Sequence, residues 1–296
     1  MPQQLVVPGL CVALVALLAT PASAAPATRS PEGPFTIDVH AELRARRCVR
    51  FIVPDRGLVR ECPVAVLGGA RGFVRPAGPL LLHWRVQAGL AHTRNDSFVY
   101  TVTERGEIEP PFPINTGLVE VDLGVGLSSV RDILEGMVWL GPAMRFDALA
   151  DETRVRLREL DLEPITVGEL VAGVRVEAQF AINAGDWVRI GGRGGVEVLG
   201  SAASVWSSSD TSAEFREEFR RVTGLVELRT LGAIVAAIPP EGPAAFVADL
   251  GFSTGWAFPA PAARAALDEA GIDVPGSLTL WPEARLLLGI RLRPGQ

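Results

Sequence analysis

Period two is the strongest signal in this chain. Between Gly173 and Gly200, Val174, Val176, Ala178, Phe180 and Ile182 alternate with Arg175, Glu177, Gln179 and Ala181; Asn183, Ala184, Gly185 and Asp186 then spell a turn, and the alternation resumes at once. In the returning arm Val188, Ile190, Val196 and Val198 share a face with Gly192 and Gly194, while Arg189, Arg193 and Glu197 share the other with Trp187, Gly191 and Gly195. Successive side chains of an extended strand point to opposite sides, so the pattern predicts a long hairpin with one apolar and one charged face. At about 3.3 Å per residue the arm from Trp187 to Leu199 spans roughly 40 Å, about what a tilted strand needs to cross a hydrocarbon layer and both rims.

The same alternation appears elsewhere. Phe35, Ile37, Val39, Ala41 and Leu43 oppose Thr36, Asp38, His40, Glu42 and Arg44; Leu82, Trp84, Val86, Ala88 and Leu90 oppose His83, Arg85, Gln87 and Gly89. Val119, Val121, Leu123, Val125 and Leu127 oppose Glu120, Asp122, Gly124 and Gly126, and Leu250, Phe252, Thr254, Trp256 and Phe258 face away from Asp249, Gly251, Ser253, Gly255 and Ala257. Near the end, Leu286, Leu288, Ile290 and Leu292 face away from Leu287, Gly289, Arg291 and Arg293. Segments around Arg46–Pro54, Leu58–Leu67, Phe98–Thr103, Val138–Asp147, Arg154–Leu162 and Leu225–Leu231 are further strand candidates, for a total of about 12 to 14. Helices are few. A capping box at Thr211–Glu214 precedes Phe215, Phe219 and Val222 on one face and predicts a helix ending near Gly224; Ser129 with Asp132 predicts a shorter one to about Glu135; Pro261–Ala270, closed by Gly271, is the third. Long loops are expected at Glu109–Thr116 and Ile238–Pro243.

The opening residues indicate the compartment. Leu5–Thr20 is an apolar run interrupted only by Pro8 and Gly9, and Ala22, Ser23 and Ala24 supply a small-residue cleavage site, so residues 1–24 are expected to be a signal peptide. Residues 25–34 are expected to form a disordered leader and residues 35–296 a single β-rich domain. Every later apolar run is broken by charge, Gly or Pro, so a membrane would be crossed by strands. The net charge is -6 and the 28 basic residues are all Arg. With no basic tract, nucleic acid is not an expected partner. Beyond Cys11 in the leading apolar run only Cys48 and Cys62 remain; they flank the turn signal Pro54–Gly57, and in an oxidising compartment they are expected to close a disulfide across a hairpin.

Catalytic signals are sparse. His40, His83 and His92 are the only histidines and show no metal-ligand spacing with a carboxylate. Ser97, Ser128, Ser129 and Ser207–Ser209 sit in no nucleophile-elbow pattern. Gly191, Gly192, Gly194 and Gly195 lack the following helix and Lys of a phosphate loop, so close strand approach or bulging accounts for them better. Asn95–Ser97 matches a glycosylation acceptor, a motif short enough to arise by chance. No cofactor, metal or catalytic residue is expected; a membrane-embedded hydrolase is the outlying alternative.

The hairpin at Gly173–Gly200 and the segment Glu283–Arg293 resemble the strands of Gram-negative outer-membrane β-barrel proteins. The resemblance implies an all-β fold, an antiparallel transmembrane barrel of about 12 strands with short loop helices, in contact with outer-membrane lipid and the barrel assembly machinery. Alternation by itself also fits a soluble antiparallel β-sandwich or barrel, periplasmic or secreted, that binds a protein or small ligand through the loops at Glu109–Thr116 and Trp206–Gly224. Polar faces that mix charge with many glycines favour a crowded interior. In the barrel, Arg85, Glu120, Asp122, Arg175, Glu177, Arg189, Arg193, Glu197, Arg291 and Arg293 project inward and pair across the lumen. Few strands would leave those pairs as a plug and a structural role; 12 or more would leave a water-filled passage lined partly by Arg. The aromatic rims fall to Trp84, Trp139, Trp187, Trp206, Trp256, Trp281 and the Phe residues.

Overall fold

The computed structural model describes residues 34–46, 49–53, 57–76, 78–97, 114–131, 134–159, 166–206, 212–217, 225–269 and 278–294. The strands are β1 (Phe35–Arg46), β2 (Val49–Val53), β3 (Gly57–Val74), β4 (Leu80–Ser97), β5 (Ile114–Arg131), β6 (Leu134–Leu149), β7 (Thr166–Ala184), β8 (Val188–Trp206), β9 (Leu225–Ile238), β10 (Ala244–Pro259) and β11 (Leu278–Leu292). Among the described residues, helices α1 (Asp151–Glu159) and α2 (Pro261–Glu269) lie in connections, as does the short helical turn at 213–217. Among the described residues no helix is long and apolar enough to cross a membrane.

From β2 to β11 each strand pairs antiparallel with its neighbour in sequence, and β1 closes the sheet between β3 and β11. β1 runs beside β11, from Ile37 opposite Leu292 to Arg46 opposite Glu283, and beside β3, from Phe35 opposite Val74 to Ala45 opposite Val64. β2 continues along β3, with Val49 opposite Glu61, so β1 and β2 form one stave and the barrel has ten. The expected count of about 12 is therefore corrected. Arg46–Pro54, expected as a separate strand, continues the stave of β1 as β2, and Arg154–Leu162, expected as a strand, is helical through Glu159 because Asp151 and Glu152 favour a helix start.

Closure fixes the geometry. Stepping across the ladder from Phe35 leads through Val74, Leu82, Val125, Leu140, Val176 and Val196 to Thr230 and Thr254. The neighbouring Ser253 faces Glu283, which faces Arg46. One circuit thus climbs from the first residue of β1 to just past its last, a stagger of about a dozen residues that tilts the strands by about 40°. Ten staves at that tilt put the backbone about 10 Å from the axis, so arginines on facing walls meet.

The two ends differ. Segments 75–79, 132–133, 185–187 and 239–243 make short connections at the end where β1 begins and β11 finishes; 98–113, 150–165, 207–224 and 260–277 make long ones at the other. The helix expected at Ser129–Glu135 is instead the hairpin of β5 and β6, with Ser129 opposite Gly136. Residues 213–217 are helical and capped by Ser212, whose Oγ accepts from the Phe215 amide at 3.2 Å; the rest of that expected helix, like the strand expected at Phe98–Thr103, the signal peptide and all but the last residue of the leader, lies outside the described residues.

The Cys48–Cys62 disulfide is also corrected: the structure shows none. Cys62 stands in β3 opposite Arg94 of β4, and Cys48 lies outside the described residues. The hairpin is held by its ladder, from Val49 opposite Glu61 to Val53 opposite Gly57, without a covalent staple.

Candidate functional site: the barrel interior

Alternation sorts the side chains between two faces. Outward on β4 and β5, Leu82, Val86, Leu90, Leu123, Val125 and Leu127 are each 39% exposed or more, and β1, β7, β10 and β11 present Val39, Val176, Phe252 and Ile290 likewise. Inward, polar and charged side chains are buried: Asp38, Glu42 and Arg44 on β1, Arg71 on β3, Arg85 and Gln87 on β4, Asp249 on β10 and Arg285 on β11 among them. Of the sequence-predicted set, Arg85, Glu120, Asp122, Arg175, Glu177, Arg189, Glu197, Arg291 and Arg293 are buried, and the Arg193 side chain is 8% exposed.

Most of these charges belong to one connected chain of alternating sign. It runs from Glu42 through Arg44, Glu120, Arg85, Asp122, Arg175, Glu177, Arg193, Asp249, Arg71 and Asp38 to Arg291. Arg44 donates Nη1 and Nη2 to the two Glu120 oxygens at 2.6 and 2.7 Å, and Gln87 donates to Glu120 as well. Arg291 forks onto Asp38 at 2.7 and 2.9 Å. Burying charge is costly unless each group is paired and hydrogen-bonded, and a shared chain lets one carboxylate serve two guanidiniums. Asp38, Glu42, Arg44 and Asp249 carried the same alternation signal in sequence as the predicted set. Arg71 did not, because Gly68, Gly69 and Gly72 erase the pattern around it.

An apolar stopper fills the short-connection end. Trp139 stacks on His83 with ring centroids 4.7 Å apart and meets Phe73 edge-on at 5.4 Å; Leu81 and Met137 complete the cluster. Trp139 is thus inside the barrel and not at a rim, a correction that follows from its parity with Glu135 and Met137 on β6. Its indole needs Gly124, where a Cβ would lie 2.8 Å from Cδ1. Val235, Ala237, Ala245 and Val247 pack the facing wall. Just outside, Glu135 joins Arg75 to Arg189.

The long-connection end is open by comparison. A cavity of ≈ 270 Å³ there is lined by Arg44, Ala65, Ala91, Thr116, Leu118, Glu120, Arg145, Asp147, Arg229 and Glu283. Arg145 bridges Asp147 and Glu227, and Arg229 also pairs with Glu227. His40 bonds Gln87 and His92 bonds Asn115, and among the described residues no three His, Cys, Asp or Glu side chains converge as a metal site.

No protein-family model matches the chain, and no curated protein matches it significantly. Among solved structures it is similar to the TodX monoaromatic hydrocarbon channel deltaS2 mutant, at 8% identity and a TM-score of 0.35 over 95% of this chain and 94% of that one. The TodX deltaS2S3 mutant gives 9% identity and 0.31 over 93% of each chain, and a Pseudomonas aeruginosa FadL homologue 8% and 0.21 over 88% and 89%. At such values the likeness is one of outline, and no role passes from those proteins to this one.

Proposed function

We propose that this chain is an exported outer-membrane β-barrel with a structural role: a closed scaffold that holds its long connections at one membrane face, with no catalysis of its own. The observation that carries the reading is the pairing of an apolar exterior with a filled interior. On β4, exposed apolar residues run from Leu80 to Leu90, which at 3.3 Å per residue and the barrel tilt is a band about 25 Å tall, the height of a lipid-facing girdle. A water-soluble barrel wrapped in such a band would expose far more contiguous apolar area than monomers tolerate. Inside, the charge chain and the Trp139 stopper occupy the lumen that a ten-stave barrel encloses, which favours the structural role over an open pore.

The test is fractionation of the native host, migration of heated and unheated samples on a detergent gel, and conductance in planar bilayers. The expected result is recovery in the outer membrane, heat-modifiable migration and no steady conductance. Recovery in the soluble fraction without detergent would overturn the membrane assignment; a stable ohmic conductance would overturn the closed interior.

A further inference from the structure

Register gathers arginines at one corner of the long-connection end. In the β2–β3 ladder Arg50 stands directly opposite Arg60, and in the β3–β4 ladder Arg94 stands opposite Cys62, two residues along β3 from Arg60. Alternation assigns all three positions to the face on which Val64, Val66 and Leu90 are exposed. Like charges directly opposite one another repel, and an anion shared between them relieves the repulsion. The local acids are fewer: residues 46–61 hold five arginines against Asp55 and Glu61, and Arg94 is followed by Asp96. Glu61 falls at the alternate position of β3, and Asp96 stands where the β3–β4 register shifts. Helix α1, which bonds to the start of β5 through Thr153, is itself neutral, with three arginines and three acids.

The height of these positions identifies the anion. Arg60 lies four residues beyond Val64 and Arg94 four beyond Leu90, about 10 Å further along the barrel axis at the strand tilt. The exposed apolar wall ends first in a neutral polar step, where His92 Nδ1 donates to Asn115 Oδ1 at 2.7 Å. The arginines follow, at the level where lipid headgroups meet a barrel. A free anion would need the arginines alone; the wall of Val64, Val66 and Leu90 below them suits an acyl chain joined to that anion. We propose that the β2–β3–β4 corner binds a phosphate-bearing anionic lipid, with its phosphate among Arg50, Arg60 and Arg94 and an acyl chain along Val64, Val66 and Leu90. The proposal rests on the outer-membrane reading, because only a barrel standing in lipid brings headgroups to that height.

The full chain is folded into vesicles of phosphatidylcholine, alone or with phosphatidylglycerol mixed in, and loss of the folded gel band is followed with temperature. Lipid retained after extraction into neutral detergent is counted by native mass spectrometry. Retention of phosphatidylglycerol over phosphatidylcholine is expected, with a higher unfolding temperature in the mixed vesicles. Arg50→Gln, Arg60→Gln and Arg94→Gln should each weaken retention about fivefold, the worth of one arginine at an anionic surface. In phosphatidylcholine alone Arg60→Gln should be no less stable than the parent, since it removes a like-charge pair; a loss there would make Arg60 structural and overturn its role. Arg264→Gln, at an exposed position of α2 toward the same end, should leave retention unchanged. Unchanged retention in Arg60→Gln, an equal fall in Arg264→Gln, or inorganic phosphate binding as tightly as the lipid would overturn the proposal. Folding in phosphatidylcholine reports on the barrel separately. A barrel that folds there and ignores phosphatidylglycerol rejects this site alone, and a chain that stays soluble without lipid rejects the membrane reading with it.

Discussion

Arg193 of β8 reaches past β9 to Asp249 of β10, with 2.6 Å between Nη2 and the Oδ2 that also accepts from Arg71 of β3 at 3.1 Å. This carboxylate joins the two halves of the charge chain. Asp249→Asn should leave Arg71 and Arg193 with too little negative charge between them, at a cost of about 3–5 kcal/mol, the usual penalty for breaking a buried pair from one side. Adding Arg193→Gln should return most of that loss, since two amides can bond where two charges did. Denaturant unfolding in lipid bilayers of both single variants and the double would measure the coupling; additive losses would mean that Arg193 and Asp249 do not interact.

The stopper makes a separate prediction. Trp139 and Phe73 fill the short-connection end with His83 between them, below the charge chain. Truncating either to Ala should cost about 3–5 kcal/mol. The pair Phe73→Ala and Trp139→Ala should also admit water, so a barrel silent in planar bilayers should show small, flickering conductance. Silence in the folded double variant would place the seal in the charge chain alone.

Much of this was legible in the residues. Period two located the long central portions of β1, β4, β5, β7, β8, β10 and β11, because an apolar outer face and a charged interior enforce alternation residue by residue. It marked Arg175, Glu177 and Glu197 as one face, and the structure joins them through Arg175. Three things were hidden. Strand number depends on which weak segments belong to one stave, and Gly68, Gly69 and Gly72 removed the pattern where β3 passes Arg71. The inward turn of Trp139 was hidden because an aromatic residue suits a rim and a lumen equally; its parity with Glu135 and Met137, opposite Gly126 in the ladder, turns it into the lumen.

Glycine in the walls divides by what lies above it. A methyl group at Gly124 would come within 2.8 Å of the Trp139 ring, while nothing lies within 4 Å of one at Gly68. Gly124→Ala should therefore destabilise by about 1–3 kcal/mol through overpacking and shift the tryptophan emission. Gly68→Ala, on the outer face, should change stability by no more than about 0.5 kcal/mol. Equal effects at the two positions, measured by denaturant unfolding, would mean that the indole does not rest on Gly124.

The outward face offers the sharpest distinction between lipid and water. Leu123 is half exposed midway along the apolar run of β5, and Leu127, equally exposed, stands near its end toward the short connections. If this face meets lipid, Leu123→Arg buries a cation near the bilayer midplane and should cost about 2–4 kcal/mol, whereas Leu127→Arg can reach the headgroups and should cost about 0–1 kcal/mol. If it meets water, neither change should destabilise and both should improve solubility. Unfolding free energies in lipid vesicles for the two variants decide the matter. A depth-dependent penalty identifies lipid as the outer solvent, and equal, negligible penalties would return the chain to the soluble β-barrels.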